Sequence, residues 1–306
     1  MPLDQINLSL DSNGLMIINI AISLLMLGVA IDTKWQDFKH IIVFPKAVAI
    51  GLFAQFICLP FITFCLVKLL NPIPSIALGM ILISSCPGGN ISNIMTYLAN
   101  GNTSVSIVMT AISSIAAIVL TPLIFSFWAS LSPDTSNILE NVIIDPRETI
   151  TILLTIIGLP IFSGLVVSNY YPRLADYIKK PLKLLSFLFF ILIVSVVVIK
   201  NISNIKLYLS MIFLYVFIHN ATAFAIGYSL SHISRLPVRD RRAVTIEIGI
   251  QNAALGLVIV FSYFNNFGGM LAIVSWWGIW HIIAGLFLAI IFNCPKTVNV
   301  KNEASE

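Results

Sequence analysis

The chain alternates between long apolar stretches and short polar connections. A helix needs about 20 mostly apolar residues to cross a bilayer, and nine stretches of this kind can be placed along the chain. They lie near residues 13–31, 44–70, 74–98, 102–128, 148–170, 181–199, 206–232, 239–264 and 268–292. The connections are too short to hold a further domain. The pattern therefore predicts one all-α polytopic membrane unit of about nine transmembrane helices.

Two of these stretches are interrupted by polar and helix-breaking residues. The first interruption is Ser85-Cys86-Pro87-Gly88-Gly89-Asn90, and the second is Glu247-Ile248-Gly249-Ile250-Gln251-Asn252. Proline removes a backbone donor and glycine adopts conformations that other residues avoid, so one helix should stop near Cys86 and another restart near Asn90. Irregular backbone inside a membrane is tolerated only where it is buried in protein or lines a polar cavity. The interruptions therefore predict a polar centre.

The positions of the two interruptions suggest an internal repeat. They fall in the third and eighth stretches, and one continuous apolar stretch follows each. An offset of five helices is odd, so the two copies should have opposite orientations in the membrane. Paired interrupted segments of this kind mark the binding sites of secondary transporters. We predict repeat one at 13–128, repeat two at 148–292 and a short cytoplasmic tail at 293–306, with two discontinuous helices crossing at mid-membrane.

Composition and charge support a membrane protein and indicate its orientation. Charged residues make up 10% of the chain and hydrophobic residues 58%, whereas soluble domains carry about 25% charged residues. In a nine-span topology, 13 of the 17 Lys and Arg residues fall on one side, which the positive-inside rule makes cytoplasmic. We therefore expect an inner-membrane protein with its N-terminus outside and its C-terminus inside. Residues 1–14 contain no Lys or Arg, so no cleaved signal peptide is expected.

One acidic residue falls inside a predicted span. The other twelve of the 13 lie in loops, tails or span ends, whereas Glu247 lies within 239–264 with no Lys or Arg at comparable depth. A charge at the bilayer centre costs about 2.5–3.5 kcal/mol on insertion scales, so it usually has a partner and a function. Either the acid is protonated, or a cation from solution neutralises it.

The uncharged polar residues within the spans favour a cation. Hydroxyl, amide and carboxylate oxygens and unwound backbone carbonyls are the ligands that hard cations such as Na⁺ require. Serine and threonine can instead bond to their own helix, and glutamine can join two helices. Their coincidence with two broken helices and one acid favours a cation site. The residues are Gln55, Ser92, Asn93, Ser106, Thr110, Gln251 and Asn252, and Ser106 and Thr110 share one helix face.

The restarting half-helices should favour an anion. Their first N–H groups and positive dipole ends, after Gly89 and after Asn252, would face the same cavity. His281 could add a donor, and His219 is expected to make a structural hydrogen bond. The candidate anion-binding residues are therefore Asn90, Asn252 and His281.

These motifs resemble the bile acid:sodium symporter family. The likeness covers Cys86 to Asn93, Ser106 to Thr110 and Glu247 to Asn252, together with Gln55-Phe56 and Trp280-His281, and extends over about 24–292. The resemblance implies a panel and a core of helices, alternating access, and sodium-driven uptake of organic anions. It also implies two Na⁺ sites. The first comprises Ser92, Asn93, Ser106, Thr110 and Glu247, and the second comprises Gln55, Glu247, Gln251 and the backbone carbonyls of Ile248 and Ile250.

The chain departs from the family pattern in two places. Structurally known bacterial relatives have ten helices, whereas this chain lacks the first and resembles the nine-helix animal members. Ile282 follows His281 where some bacterial relatives carry Asn, which leaves the identity of the anion open.

The prediction is a symporter of Na⁺ and a small organic anion, such as a bile acid or small carboxylate. We expect no nucleic-acid partner and no catalytic residues for such a symporter, and we expect it to be a monomer. A proton-coupled antiporter would instead use Glu247 as a titrating group. An intramembrane enzyme would use Glu247 with His219 or His281 and with Cys86 or Ser92, but the sequence lacks a motif such as His-Glu-x-x-His.

Overall fold

A computed structural model describes residues 20, 23–24, 27–28, 31, 43–141, 151, 154–200, 202–264 and 267–293. Eleven α-helices account for nearly all regular structure in these ranges, which contain no β-strand. They are α1 (Pro45–Leu70), α2 (Pro74–Ser85), α3 (Ile91–Leu98), α4 (Thr103–Ser130), α5 (Pro133–Asn141), α6 (Leu159–Tyr170), α7 (Pro172–Lys200), α8 (Ile202–Ile233), α9 (Val238–Gly249), α10 (Ala253–Tyr263) and α11 (Gly268–Asn293).

The helices confirm the all-α polytopic membrane fold. Within the described ranges, α1, α4, α11 and the Ser210–Ile233 part of α8 are long and apolar enough to span a bilayer, and α2, α6 and α10 are shorter apolar helices. The nine-span count stays a prediction, since most of 13–31 lies outside the described residues. Two details differ from expectation. Helix α7 begins at Pro172 rather than near 181, and α5 was not predicted because it is short and polar.

The two predicted interruptions are confirmed. The apolar stretch 74–98 forms α2 and α3, and the stretch 239–264 forms α9 and α10. Helix α2 ends at Ser85, where Pro87 cannot donate to the preceding turn, and α3 begins after Asn90. Helix α9 ends at Gly249, and the extended backbone at Ile250 separates it from α10.

Helix α4 is apolar on its outer face and polar on its inner face. Its exposed side chains recur at every fourth position, as expected for one face of a helix. They are Ile115, Val119, Leu123 and Phe127, whereas Ser106, Thr110, Ser113 and Thr121 are buried. This distribution suits a helix whose outer face meets lipid while its hydroxyl groups line the protein interior.

Helix α1 contains a turn of π-helix that includes a buried amide. The π turn covers Ala54–Cys58, two residues before Pro60. Because proline lacks an N–H and clashes with the carbonyl four residues earlier, the helix widens at this point. Gln55 lies in this widened turn and is buried, so α1 directs an amide towards the protein interior.

Candidate functional site

The two interruptions cross and are hydrogen-bonded to each other. Gly88 and Gln251 form an antiparallel bridge, as two short extended strands would. Two backbone hydrogen bonds hold the crossing: the Gly89 N–H donates to the Ile250 carbonyl at 2.8 Å, and the Asn252 N–H donates to the Pro87 carbonyl at 2.8 Å. Each break therefore satisfies backbone groups that the other break leaves without a helical partner.

Close approach explains the two glycines of the first break. We expected Gly88 and Gly89 to supply unusual backbone conformations, but no described glycine has a positive φ. A Cβ at Gly88 would instead lie 2.2 Å from Glu247 Oε1, and a Cβ at Gly89 would lie 2.9 Å from the carbonyl oxygen of Gln251. The glycines are thus needed for space, because α9 and its following break pass directly over them.

The carboxylate of Glu247 is buried in a cage of hydroxyl groups. Its side chain is 1% exposed. Ser92 and Ser106 donate to Oε2 at 2.6 and 2.7 Å, and Thr110 donates to Oε1 at 2.6 Å. The three donors come from α3 and α4, and all are neutral. The structure thus brings four of the five residues predicted for the first sodium site into direct contact.

Asn93 is the outer member of this group. Its side-chain oxygen lies 3.5 Å from Thr110 Oγ1, which is longer than an ordinary O–H···O hydrogen bond. The Ser92 hydroxyl lies 3.3 Å from that of Ser106 and 3.4 Å from that of Thr110. Three hydroxyls, one amide oxygen and one carboxylate thus converge at this place.

The residues predicted for the second sodium site also meet at the crossing. Gln55 donates from Nε2 to the Cys86 carbonyl at 2.6 Å and to Gln251 Oε1 at 2.8 Å. Gln251 Nε2 lies 3.2 Å from Gln55 Oε1 and donates to the Ile248 carbonyl at 2.6 Å. The carbonyl of Ile250 accepts the Gly89 N–H. The two buried amides are thus bonded to each other and to the carbonyls of Cys86 and Ile248.

The three candidate anion-binding residues are not joined by any hydrogen bond among the described residues. Asn90 precedes the first turn of α3 without a side-chain cap, whereas the Asn252 side chain accepts from the Leu255 N–H at 3.1 Å and caps α10. His281 is buried at the middle of α11, and its Nδ1 has no partner within the described part of the chain. One turn later, Gly285 faces Ile250, so His281 lies near the depth of the crossing.

Sequence reasoning missed two polar residues that support the crossing. Asn220 on α8 donates to the Gly249 carbonyl at 2.7 Å, and Thr121 on α4 donates to the Ser85 carbonyl at 2.8 Å. The hydrogen bond expected for His219 is confirmed, and its partner is the Thr63 hydroxyl at 2.7 Å. These residues were visible as polar positions in apolar stretches, but their partners depend on how the helices pack.

The fold and the site together define a class of protein. It is a multi-pass helical membrane protein with a buried centre, lined by oxygen atoms, where two interrupted helices cross. A profile described as the Sodium Bile acid symporter family matches residues 19–207. The chain therefore belongs to this family, which confirms the resemblance seen in the two motifs.

Individual relatives agree with this assignment. The chain is 30% identical over 289 residues to YocS of Bacillus subtilis (strain 168), described as an uncharacterized sodium-dependent transporter, with 94% of this chain and 86% of YocS covered. It is 28% identical over 279 residues to the rat hepatic sodium/bile acid cotransporter, covering 90% of this chain and 76% of the relative.

The chain is also similar to a relative described as a chloroplast protein. The chain is 28% identical over 247 residues to the probable sodium/metabolite cotransporter BASS1 of Arabidopsis thaliana chloroplasts, covering 81% of this chain. It spans 59% of that protein's length. The chain is thus a member of a family of sodium-dependent membrane transporters.

Proposed function

We propose that this protein is a secondary active symporter that uses the inward movement of Na⁺ to take up a small organic anion by alternating access. The observation that carries the proposal is the cage around Glu247, where three neutral hydroxyls meet a buried carboxylate. Their oxygen atoms can turn their lone pairs to a cation, and the carboxylate supplies the negative charge that makes Na⁺ binding favourable.

Two Na⁺ ions are proposed as co-transported substrates. The first binds at Glu247 with Ser92, Asn93, Ser106 and Thr110. The second binds beside it, at Glu247, the Gln55 and Gln251 amides and the carbonyls of Ile248 and Ile250. The amide pair supports this second site because both residues are fully buried and already turned towards each other. Binding of both ions would tie α1, α3, α4 and α9 together at the crossing.

The anion is proposed to bind where α3 begins. The absence of a side-chain cap at Asn90 supports this end over α10, whose first turn is already capped by Asn252. Asn90 and Asn252 flank the two breaks, and His281 lies at similar depth on α11. Because the breaks also form the sodium sites, ions that order them would also order the anion site, which couples the two kinds of substrate.

Charge balance gives the proposed energetics. Two Na⁺ offset the Glu247 carboxylate and one monovalent anion, so the loaded site is neutral. Because Glu247 stays with the protein, each cycle would move one net positive charge inward. A charge gains about 2.3 kcal/mol per 100 mV, and each tenfold sodium gradient adds about 1.4 kcal/mol per ion. With the N-terminus outside and the C-terminus cytoplasmic in the inner membrane, both terms drive uptake.

The first experiment identifies the ligands. Purified protein in detergent is screened by thermal unfolding against small organic anions, in NaCl and in choline chloride. Ligands that bind the folded state raise its unfolding midpoint. A substrate should stabilise the protein only when Na⁺ is present, and it should then accumulate in proteoliposomes under an inward sodium gradient. Uptake driven by a pH gradient and indifferent to sodium would contradict the symport proposal.

A second experiment tests the cage. Glu247→Gln keeps the side-chain shape and removes the charge, so it should abolish sodium-dependent uptake while the protein still folds. Ser106→Ala and Ser113→Ala form a matched pair, because both serines are buried on α4 but only Ser106 contacts Glu247, and Ser113 bonds to its own helix at Thr110. Sodium dependence should weaken in the first variant alone. Unchanged sodium dependence in Glu247→Gln would refute the assignment.

A further inference from the structure

At each break, one backbone carbonyl accepts a hydrogen bond from a side-chain amide on the long helix that precedes the break. At the first break, Gln55 of α1 donates to the Cys86 carbonyl at 2.6 Å. At the second break, Asn220 of α8 donates to the Gly249 carbonyl at 2.7 Å. Gln55 belongs to the proposed second sodium site, whereas Asn220 lies outside both proposed sodium sites. The two amides occupy equivalent places relative to the two breaks.

The hydrogen bond from Asn220 fixes the backbone direction at the second break. Ile250 has an extended conformation, with φ −112° and ψ 99°. In extended backbone, successive carbonyls point to opposite sides. When the Gly249 carbonyl is held towards α8, the Ile250 carbonyl is directed the other way, where it accepts the Gly89 N–H. The orientation of this proposed sodium ligand thus depends on a contact made on the far side of the chain.

Close packing of α8 against α9 allows the short Asn220 side chain to reach the Gly249 carbonyl. A Cβ at Gly249 would lie 2.1 Å from the ring of Phe224, and a Cβ at Gly227 would lie 2.9 Å from the Cα of Thr245. Gly227 therefore lets the backbones of α8 and α9 approach closely, and Gly249 leaves room for the Phe224 ring between them. Any side chain there would hold α8 away from the break.

Packing alone does not explain why an asparagine is buried at position 220. It is fully buried, and its Oδ1 has no hydrogen-bond partner among the described residues. An unpaired buried polar atom lowers stability, and a leucine of similar shape would avoid that loss. Within the described part of the chain, the hydrogen bond that a leucine could not reproduce is the donation from Asn220 Nδ2 to the Gly249 carbonyl. The residue is thus best explained by that hydrogen bond.

We propose that Asn220 is a positioning residue for the second sodium site, which it supports by holding the Gly249 peptide so that the Ile250 carbonyl faces the ion. This inference rests on the proposed function, because it assumes that Na⁺ binds at the crossing. Asn220 does not contact the ion itself. It acts through the backbone of the break.

The test is sodium-dependent stabilisation of the purified protein. Thermal unfolding in detergent, followed by tryptophan fluorescence, is measured while NaCl replaces choline chloride at constant ionic strength. Asn220→Leu removes the donor, leaving the Gly249 carbonyl unpaired but also removing the unpaired Oδ1. These two effects oppose each other, so the unfolding midpoint without sodium should change little. The half-saturating Na⁺ concentration should rise about three- to tenfold, the equivalent of one neutral hydrogen bond.

Two further variants make the result interpretable. Thr222→Val is the matched control, because Thr222 lies on the same helix and its hydroxyl donates to the Ile218 carbonyl at 2.8 Å. Its half-saturating Na⁺ concentration should equal that of the unmodified protein. Asn220→Ala lacks the same donor in a smaller volume and should reproduce the effect of leucine, which separates loss of the hydrogen bond from poor fit.

The outcomes distinguish this inference from the function on which it rests. If the unmodified protein gains no stability from NaCl, the sodium sites themselves are wrong and the inference falls with them. If the unmodified protein responds and both Asn220 variants respond at the same Na⁺ concentration, only the positioning role is overturned. The same holds if both variants merely unfold earlier at every sodium concentration, or fail to fold, because Asn220 would then serve stability.

Discussion

Replacing Gly88 with alanine should disable the sodium centre while leaving the fold in place. A Cβ at position 88 would lie 2.2 Å from Glu247 Oε1 and 3.0 Å from its Cδ, and real Cβ contacts essentially never fall below 3.0 Å. The carboxylate oxygen must therefore retreat by at least about 0.8 Å. Since the atoms in the way are the end of a flexible side chain, the backbone of the crossing does not have to move.

The size of the effect follows from the hydrogen bonds that this retreat breaks. Thr110 donates to the same Oε1 at 2.6 Å, so a retreat directed away from it would take the distance beyond the usual 2.5–3.0 Å range. A hydrogen bond to a charged group contributes about 1.5–3 kcal/mol, which corresponds to a loss of about ten- to a hundredfold in sodium affinity. Overpacking costs about 1–3 kcal/mol of stability, and a displaceable side-chain end favours the lower limit.

Gly89→Ala provides the comparison. Its Cβ would lie 2.9 Å from the backbone oxygen of Gln251 and 3.2 Å from the carbonyl carbon, so the crossing itself would have to open. The assay is thermal unfolding with and without NaCl, together with sodium-driven uptake of an identified substrate. Gly88→Ala should unfold near the normal midpoint but need far more Na⁺, whereas Gly89→Ala should unfold earlier in both media. Normal sodium affinity in Gly88→Ala would refute the close approach of Glu247.

Two further substitutions separate the sodium site from the surrounding structure. Gln55→Leu leaves the Cys86 carbonyl without its amide donor, so it should lower the thermal unfolding midpoint. In a sodium titration of uptake it should also reduce the Hill coefficient from about two to about one, and an unchanged coefficient would contradict the second site. Thr63→Val removes the hydroxyl 2.7 Å from His219 Nε2 and should cost about 1–3 kcal/mol of stability in thermal unfolding. Its half-saturating Na⁺ concentration should stay unchanged, and a shift would show that this pair is coupled to ion binding.

The sequence alone was sufficient for the fold class, the family and the position of both breaks. These features are local. An apolar stretch long enough to span a bilayer, a Pro-Gly-Gly run inside it and a single intramembrane acid each have consequences that do not depend on the rest of the chain. The helical spacing of Ser106 and Thr110 predicted a shared face, and both hydroxyls do contact Glu247.

Only the tertiary structure decided which groups meet. Glu247 and Ser92 are 155 positions apart, and Gln55 and Gln251 are 196 apart, so their contacts follow from the packing of helices that are distant along the chain. The same packing gave the glycines of the first break a steric role in place of the conformational one expected. It also gave Asn220 a partner, because a short amide can hold a carbonyl only where two helices approach closely enough. Local sequence specifies where a helix must break, but the distance between two backbones decides what the broken ends can bind.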